Sequence, residues 1–165
     1  MGSGGCLLQL KGHTNEVWSA EFSPDDRYIV TASVDGTARV WDSRTGKSVS
    51  QLLGHTGAIT GATFSPDGSL VVTAGADSTV RVWDPKTGMP ISQLFGHTKY
   101  VNNAVFSYDG KFIATASKDN TARIYPQEMF LPIDKLLKSA SSRLTRELTS
   151  EERRKYLHLP GQFQQ

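Results

Sequence analysis

The sequence contains three regularly spaced histidines, a residue type that can bind metal ions or act in acid–base catalysis. His13, His55 and His97 each follow a glycine, and 42 residues separate each from the next. Three imidazoles that converge on one point could form a zinc site, with metal–nitrogen distances of about 2 Å. The constant spacing instead indicates one histidine in each copy of a repeat. The three rings are therefore predicted to lie too far apart to share an ion, and no metal site is expected.

Two short motifs resemble enzyme signatures but lack the context that these need. Lys86-Thr87-Gly88 matches a triplet of β-lactamase-type enzymes, yet it takes the place that Arg44-Thr45-Gly46 has 42 residues earlier, where a turn is predicted. The glycines of residues 2–5 lack the lysine and the following helix of a phosphate loop. Residues 1–5 are instead interpreted as a remnant of cloning. No cofactor is predicted, and the chain is not expected to be an enzyme.

Charge and cysteine content exclude several classes of function. The formal charge is +2, but residues 1–125 contain 11 basic and 11 acidic side chains, and residues 126–165 contain 7 and 5. A neutral body disfavours nucleic acid as a ligand, because phosphate binding needs concentrated positive charge. Cys6 is the only cysteine, so an internal disulfide is impossible and a reducing cytoplasm is predicted. No apolar run reaches the roughly 18 residues of a membrane span.

The repeat that positions the histidines has several markers in one register. Trp41-Asp42 returns as Trp83-Asp84, and the turn sequence at 23–26 returns at 65–68 and 107–110. A period of about 40–45 residues with Gly-His and Trp-Asp pairs is typical of four-stranded propeller blades. In the second copy, strands are predicted over about 59–64, 70–75, 79–84 and 90–95. The sequence therefore predicts an all-β fold, a partial β-propeller of three four-stranded blades at residues 6–125.

These markers resemble the WD-repeat family, and the resemblance covers roughly residues 6–125. It implies one hydrogen-bonded tetrad of His, Thr, Asp and Trp in each blade. The tetrads are His13, Thr31, Asp35 and Trp41; His55, Thr73, Asp77 and Trp83; and His97, Thr115, Asp119 and Tyr125. The third set departs from the pattern, because Tyr125-Pro126 replaces Trp-Asp, and a phenol has a different reach from an indole.

A hydroxyl, an imidazole and a carboxylate in one network also describe a catalytic triad. An active site needs the three groups once, whereas this sequence contains them in every repeat. Buried polar networks of this kind specify a fold. A structural role is therefore predicted for the tetrads, and no catalytic residue is proposed.

The resemblance also implies where partner proteins would bind. In the family, contacts concentrate around the start of each blade's first strand and before the tetrad Asp. Here these positions are Glu16, Trp18 and Val34; Ala58, Thr60 and Ala76; and Tyr100, Asn102 and Lys118. Trp18 and Tyr100 are the preferred anchors, because exposed aromatic side chains dominate many interfaces. The alternative is that Trp18 packs between blades.

The repeat ends after Tyr125, and residues 126–165 are predicted to be a helical extension. Apolar residues from Ile133 to Leu144 have helical spacing, and Thr149 to Glu152 is typical of a capping box that opens a second helix. Residues 148–157 resemble the carboxy-terminal tail of many bacterial multi-blade WD-repeat proteins. This favours a bacterial source and predicts that the tail is the natural end of a longer parent.

Three blades leave two faces of the array without a neighbour. Residues 6–11 are predicted to be an outer strand that precedes the first blade, while the third blade lacks one after Tyr125. Exchange of this strand between copies would close a ring, so a homo-oligomer is predicted, with a six-bladed dimer ahead of a nine-bladed trimer. The alternative is that the tail covers the third blade as a cap.

The predicted function is a protein-interaction scaffold that binds other proteins or peptides and itself, but no nucleic acid or membrane. Two alternatives stay open. The chain could be a fragment or an engineered array of a larger bacterial WD-repeat protein without independent activity, or a regulatory module of an upstream enzyme domain.

Overall fold

The structure, a computed structural model, describes residues 5–131, which form three antiparallel sheets, here called blades 1, 2 and 3. Blade 1 contains β1 (Val17–Phe22), β2 (Tyr28–Ser33), β3 (Ala38–Asp42) and β4 (Ser48–Leu52). Blade 2 contains β5 (Ile59–Phe64), β6 (Val71–Gly75), β7 (Val80–Trp83) and β8 (Pro90–Leu94). Blade 3 contains β9 (Val101–Phe106), β10 (Phe112–Ser117) and β11 (Ala122–Pro126). A 3₁₀ turn follows at Gln127–Met129.

Within each blade, each strand pairs with the next one along the chain, because short polar turns separate runs of β-branched and aromatic residues. A side-chain hydrogen bond stabilises the first turn of each blade. The hydroxyl of a serine donates to the aspartate two residues later, at Ser23, Ser65 and Ser107. Asp26 occupies the left-handed region, with φ 57°, at the position that glycine takes in the other two copies. Aspartate tolerates this conformation better than most residues, so the turn survives the substitution.

Apolar side chains from facing sheets form two cores. Blade 1 packs on blade 2 through one cluster that includes Val30, Val40 and Leu52 against Ile59 and Phe64. Blade 2 packs on blade 3 through a second cluster that includes Val72 and Val82 against Ile113. Blade 2 therefore has one face packed on blade 1 and the other packed on blade 3, as expected for successive blades of a propeller.

Blade 3 has three strands among the described residues, in the order β11-β10-β9. The sequence indicated that an outer strand is missing after Tyr125, and the described chain provides none up to Leu131. The strand predicted at residues 6–11 is not formed within the described chain, since residues 5–13 contain no strand. A β-strand needs a partner for its hydrogen bonds, and no strand of residues 5–131 pairs with this segment.

The predicted helices of the tail lie outside the described residues. The segment at residues 148–157, on which the resemblance to bacterial proteins rests, also lies outside them. In the part of the chain that is described, no helix has the length and hydropathy needed to cross a membrane.

Candidate protein-interaction surfaces

The first predicted tetrad forms one continuous chain of hydrogen bonds in blade 1. Trp41 Nε1 donates to Thr31 Oγ1 at 2.8 Å, and Thr31 Oγ1 lies 2.7 Å from His13 Nε2. His13 Nδ1 lies 2.9 Å from Asp35 Oδ2. A carboxylate only accepts, so the Nδ1–H of His13 donates to Asp35, and Nε2 forms the hydrogen bond with the threonine hydroxyl. Every polar atom along this path therefore has a partner.

Blade 2 repeats the arrangement with the second tetrad. Trp83 Nε1 donates to Thr73 Oγ1 at 2.8 Å, Thr73 Oγ1 lies 2.8 Å from His55 Nε2, and His55 Nδ1 lies 2.9 Å from Asp77 Oδ2. Burial lowers the pKa of His55, more than Asp77 raises it, which agrees with a neutral ring. His55 follows β4 of blade 1 along the chain, yet its ring bonds to residues of blade 2. The network thus connects the loop between two blades to the second of them.

The carboxylate of Asp77 collects donors from three residues. It accepts from the backbone N–H of Thr56 at 3.0 Å, and from the N–H and hydroxyl of Thr79 at 3.0 and 2.8 Å, in addition to His55. Burial alone would raise the pKa of Asp77, but these hydrogen bonds outweigh it and hold the pKa below its ordinary value. The ionised form is therefore the one that the fold uses.

The third predicted set is brought together only in part. His97 Nδ1 lies 2.8 Å from Asp119 Oδ2 and His97 Nε2 lies 2.7 Å from Thr115 Oγ1. The hydroxyl of Tyr125 instead donates to the carbonyl of Phe95 at 3.1 Å. The structure therefore places Tyr125 outside the network, because its phenol oxygen points to a different acceptor from the one that the two tryptophan N–H groups reach.

The buried position of these networks determines what they can do chemically. The Thr31 and Thr73 side chains are buried, and each hydroxyl already accepts from a tryptophan. A nucleophile must instead be exposed beside a site for its substrate. Within residues 5–131, no three His, Cys, Asp or Glu side chains are grouped so that they could hold a metal ion. The geometry supports a structural role.

The partner positions predicted in blades 1 and 3 are mostly exposed. Trp18 is 52% exposed, and its Nε1 donates to Glu16 Oε2 at 3.1 Å. Tyr100 is 49% exposed, and Lys118 Nζ lies 5.1 Å from its ring centroid. Val34 is half-buried and Asn102 is exposed. Two aromatic side chains, each oriented by a charged neighbour, thus lie at the surface.

Blade 2 differs at the equivalent positions, where the side chains are small and half-buried. The Thr60 hydroxyl donates to the carbonyl of Val101 at 2.6 Å and also lies 2.9 Å from the carbonyl of Ala74, so it connects blade 2 to blade 3. A cavity of about 380 Å³ lies between blades 1 and 2 and includes Val34 and Ala58 in its lining. Ala76 is half-buried. Thr60, a predicted partner position, therefore bonds between blades 2 and 3 in the structure.

Two exposed apolar end faces were not predicted residue by residue from the sequence. The blade 1 end face consists of Val17, Ala20 and Phe22, all exposed. The blade 3 end face consists of Val105, Phe112, Ala114 and Ile124, which together with Phe106 and Ser107 line a groove of about 390 Å³. The 42-residue spacing could have identified both, since Phe22 is the counterpart of Phe64 and Ile124 is the counterpart of Val82.

Exposure separates the end faces from their buried counterparts. Phe22 is 56% exposed and Phe64 is 6% exposed; Ile124 is 71% exposed and Val82 is fully buried. Large contiguous apolar patches on a protein surface mark interaction sites. The two end faces are therefore, with the Trp18 and Tyr100 positions, the candidate interaction surfaces of the described chain.

Comparison with known proteins identifies the repeat. The family model for the WD domain, G-beta repeat matches residues 4–42, 46–84 and 88–125. The chain is 54% identical over 39 residues to jouberin of Rattus norvegicus, which is 24% of this chain and 4% of that protein. It is 50% identical over 40 residues to U3 small nucleolar RNA-associated protein 21 of Saccharomyces cerevisiae, 24% of this chain and 4% of that one.

A third relative has a similar coverage. The chain is 46% identical over 44 residues to ribosome assembly protein 4 of Saccharomyces cerevisiae, 27% of this chain and 8% of that protein. The chain thus spans less than a tenth of the length of these three relatives. All three are eukaryotic, and none supports the predicted bacterial source, which stays a prediction, as does a cytoplasmic location.

Proposed function

Because the chain belongs to the WD domain, G-beta repeat family, we propose that it is a non-catalytic protein-interaction scaffold whose first partner is a second copy of itself. The observation that carries this proposal is the equivalence of its two exposed end faces to faces that pack together inside the chain. The blade 1 end face is the repeat counterpart of the surface that blade 2 presents to blade 1. The blade 3 end face is the counterpart of the surface that blade 1 presents to blade 2.

The two end faces are expected to be complementary to each other, because their counterparts inside the chain pack together. Phe64 is buried against residues that include Val30 and Val40 of blade 1. Phe22 and Ile124 stand at the equivalent positions of the two end faces, so a second copy can repeat this packing at the boundary between chains. Two chains with three blades each make six, within the usual range of about four to eight blades for a propeller ring. Three chains would exceed that range.

The mass of the chain in solution tests this part of the proposal. Light scattering after size-exclusion chromatography is expected to give twice the 18.0 kDa chain mass. Phe22→Ser and Ile124→Ser should each lower the mass towards one chain, because each removes apolar area from one end face. Tyr108→Ser is the matched control, since Tyr108 is 99% exposed in the first turn of blade 3 and outside both end faces. A single-chain mass for the unaltered protein would refute self-association.

A second binding surface is supported by the exposed pairs Trp18–Glu16 and Tyr100–Lys118. Rigid aromatic side chains on a scaffold are the usual anchors of peptide and protein ligands. Selection of a random peptide library on the immobilised chain, with counter-selection on Trp18→Ala/Tyr100→Ala, would isolate ligands of this surface. Peptides that bind both proteins equally would show that these aromatic side chains do not anchor partners. Loss of sheet structure in the double variant would show that they are packing residues.

A further inference from the structure

The outer edge of β11 is unpaired among the described residues, and the turn chemistry of the complete blades explains why. In blades 1 and 2 the chain turns back after the third strand. The backbone N–H of Asp42 donates to the carbonyl of Lys47 at 2.9 Å, and that of Asp84 donates to Met89 at 3.0 Å. Gly46 and Gly88 adopt φ of 67° and 74° in these turns, a region in which glycine avoids the clash of a β-carbon.

Blade 3 lacks both the aspartate N–H and the glycine that form this turn in blades 1 and 2. Pro126 takes the place of the aspartate and has no N–H to donate. Phe130 takes the place of the glycine and has φ −130°. Its side chain is buried and packs edge-on against Phe106, with ring centroids 5.8 Å apart. The chain therefore leaves β11 through the 3₁₀ turn at Gln127–Met129 rather than through a hairpin.

The segment before blade 1 lies beside the turn of blade 1 that corresponds to the turn bordered by β4 in blade 2. Ser50 and Gln51 of β4 border the Gly88 turn of blade 2, and a β-carbon on Gly88 would lie 3.5 Å from Ser50 Cβ. Leu8 is the residue 42 before Ser50. A β-carbon on Gly46 would lie 3.8 Å from Leu8 Cδ2 and 3.6 Å from Leu10 Cδ2. Residues 8–10 thus border blade 1 at the turn equivalent to the one that β4 borders in blade 2.

We propose that residues 6–10 of one copy form the fourth strand of blade 3 in a second copy, antiparallel to β11. The pairs β3–β4 and β7–β8 set the register through Ala38 with Leu52 and Val80 with Leu94. Shifted by the repeat, Leu10 lies opposite Ala122, Gln9 opposite Arg123, Leu8 opposite Ile124, and Cys6 opposite Tyr125. This inference rests on the proposed self-association and specifies its contacts.

Strand exchange and face packing then occur at one boundary between copies. The strand that completes blade 3 continues directly into blade 1 of its own chain, just as β4 leads into blade 2. Leu8 and Leu10 join Ile124 and Ala122 on the side that the blade 1 end face would cover. The exchange pairs the exposed edge of β11 and adds apolar area to the blade 3 end face, two changes that favour a stable complex.

Disulfide trapping tests the register. In a Cys6→Ser background, Leu8→Cys with Ile124→Cys places two thiols directly opposite each other, where β-carbons lie about 4.5–5.5 Å apart and cross-linking requires little backbone movement. Mild oxidation is expected to give a covalent species of two chains on non-reducing gels. Gln9→Cys with Ile124→Cys is the matched control, because neighbouring residues of a strand point to opposite faces, and it should give several-fold less product.

The other outcomes separate the hypotheses. A two-chain mass without cross-linking of the in-register pair would overturn strand exchange and leave self-association standing. A single-chain mass would overturn both. In the Cys6→Ser background, Ala122→Cys with Leu136→Cys tests the chain's own tail, since residue 136 is 42 after Leu94. An intrachain disulfide there would overturn the proposal by assigning the β11 edge to the same chain.

Discussion

Replacement of Asp77 by alanine should destabilise the protein through the groups that it leaves without acceptors. The His55 ring is almost fully buried, and its Nδ1–H would lose its closest acceptor, Asp77 Oδ2 at 2.9 Å, at a cost of about 1–3 kcal/mol. The N–H and hydroxyl of Thr79 and the N–H of Thr56 lie closer to water, and together they add about 1 kcal/mol. The free energy of unfolding is therefore expected to fall by about 2–4 kcal/mol. At about 4 °C per kcal/mol, Tm would fall by about 8–16 °C.

Urea unfolding and thermal melts followed by circular dichroism measure this change. Both should be repeated over a tenfold range of concentration, because association couples stability to mass action. Asp77→Asn should cost less, since its carbonyl oxygen still accepts from Thr79. Its amide would force His55 into the opposite tautomer, with Nε2 donating to Thr73. Glu128→Ala, which removes an exposed carboxylate, is the surface control. An unchanged midpoint in Asp77→Ala would refute the network as a source of stability.

Three further substitutions test other parts of the fold. Burial lowers the pKa of His55 below its ordinary value of 6.5, so the unfolded chain binds this proton more tightly and stability should fall as the pH drops below about 6.5. His55→Gln should reduce the difference between urea midpoints at pH 7.5 and 5.5, and an equal difference in both proteins would contradict this assignment. Tyr125→Trp should raise stability by about 0.5–1.5 kcal/mol if the indole N–H reaches Thr115 as in the other blades; a lower Tm would show that the site does not accept an indole. Thr60→Val removes the hydroxyl bonded to Val101 and should speed hydrogen exchange in β9, whereas unchanged exchange would show that apolar packing alone fixes blade 3.

The parts of the fold that depend on local pattern were accessible from the sequence. Thr31 and Thr73, at the same position in successive repeats, accept from Trp41 and Trp83 in the structure, because equal spacing in equal strands gives equal geometry. The hydrogen bond of Tyr125 could not be predicted from this spacing. Its acceptor, the carbonyl of Phe95, was selected by the reach of a phenol within the packed blade, which no spacing encodes.

Features that depend on a partner surface were less accessible. The pattern at residues 6–11 matches β4 and β8, yet it forms no strand without an edge to pair with. Thr60 occupies a predicted partner position, but the bulge between Ile59 and Gly61 accompanies its bonds between blades. The end faces contain the same residue types as the cores, and only the absence of a neighbouring sheet among the described residues exposes them.

The loop from β4 to β5 has a genetic consequence. His55 follows blade 1 along the chain, but its ring bonds to residues of blade 2. A 42-residue sequence repeat therefore does not begin and end at the same residues as the blade that it helps to stabilise. Duplication or deletion of 42 residues, whatever its starting point, would restore the same neighbours on both sides of the junction. Recombination could therefore lengthen or shorten the array without an intermediate in which a histidine lacks its hydrogen-bond partners or a β-strand lacks its neighbour. Blade number would then vary more readily than the sequence within a blade.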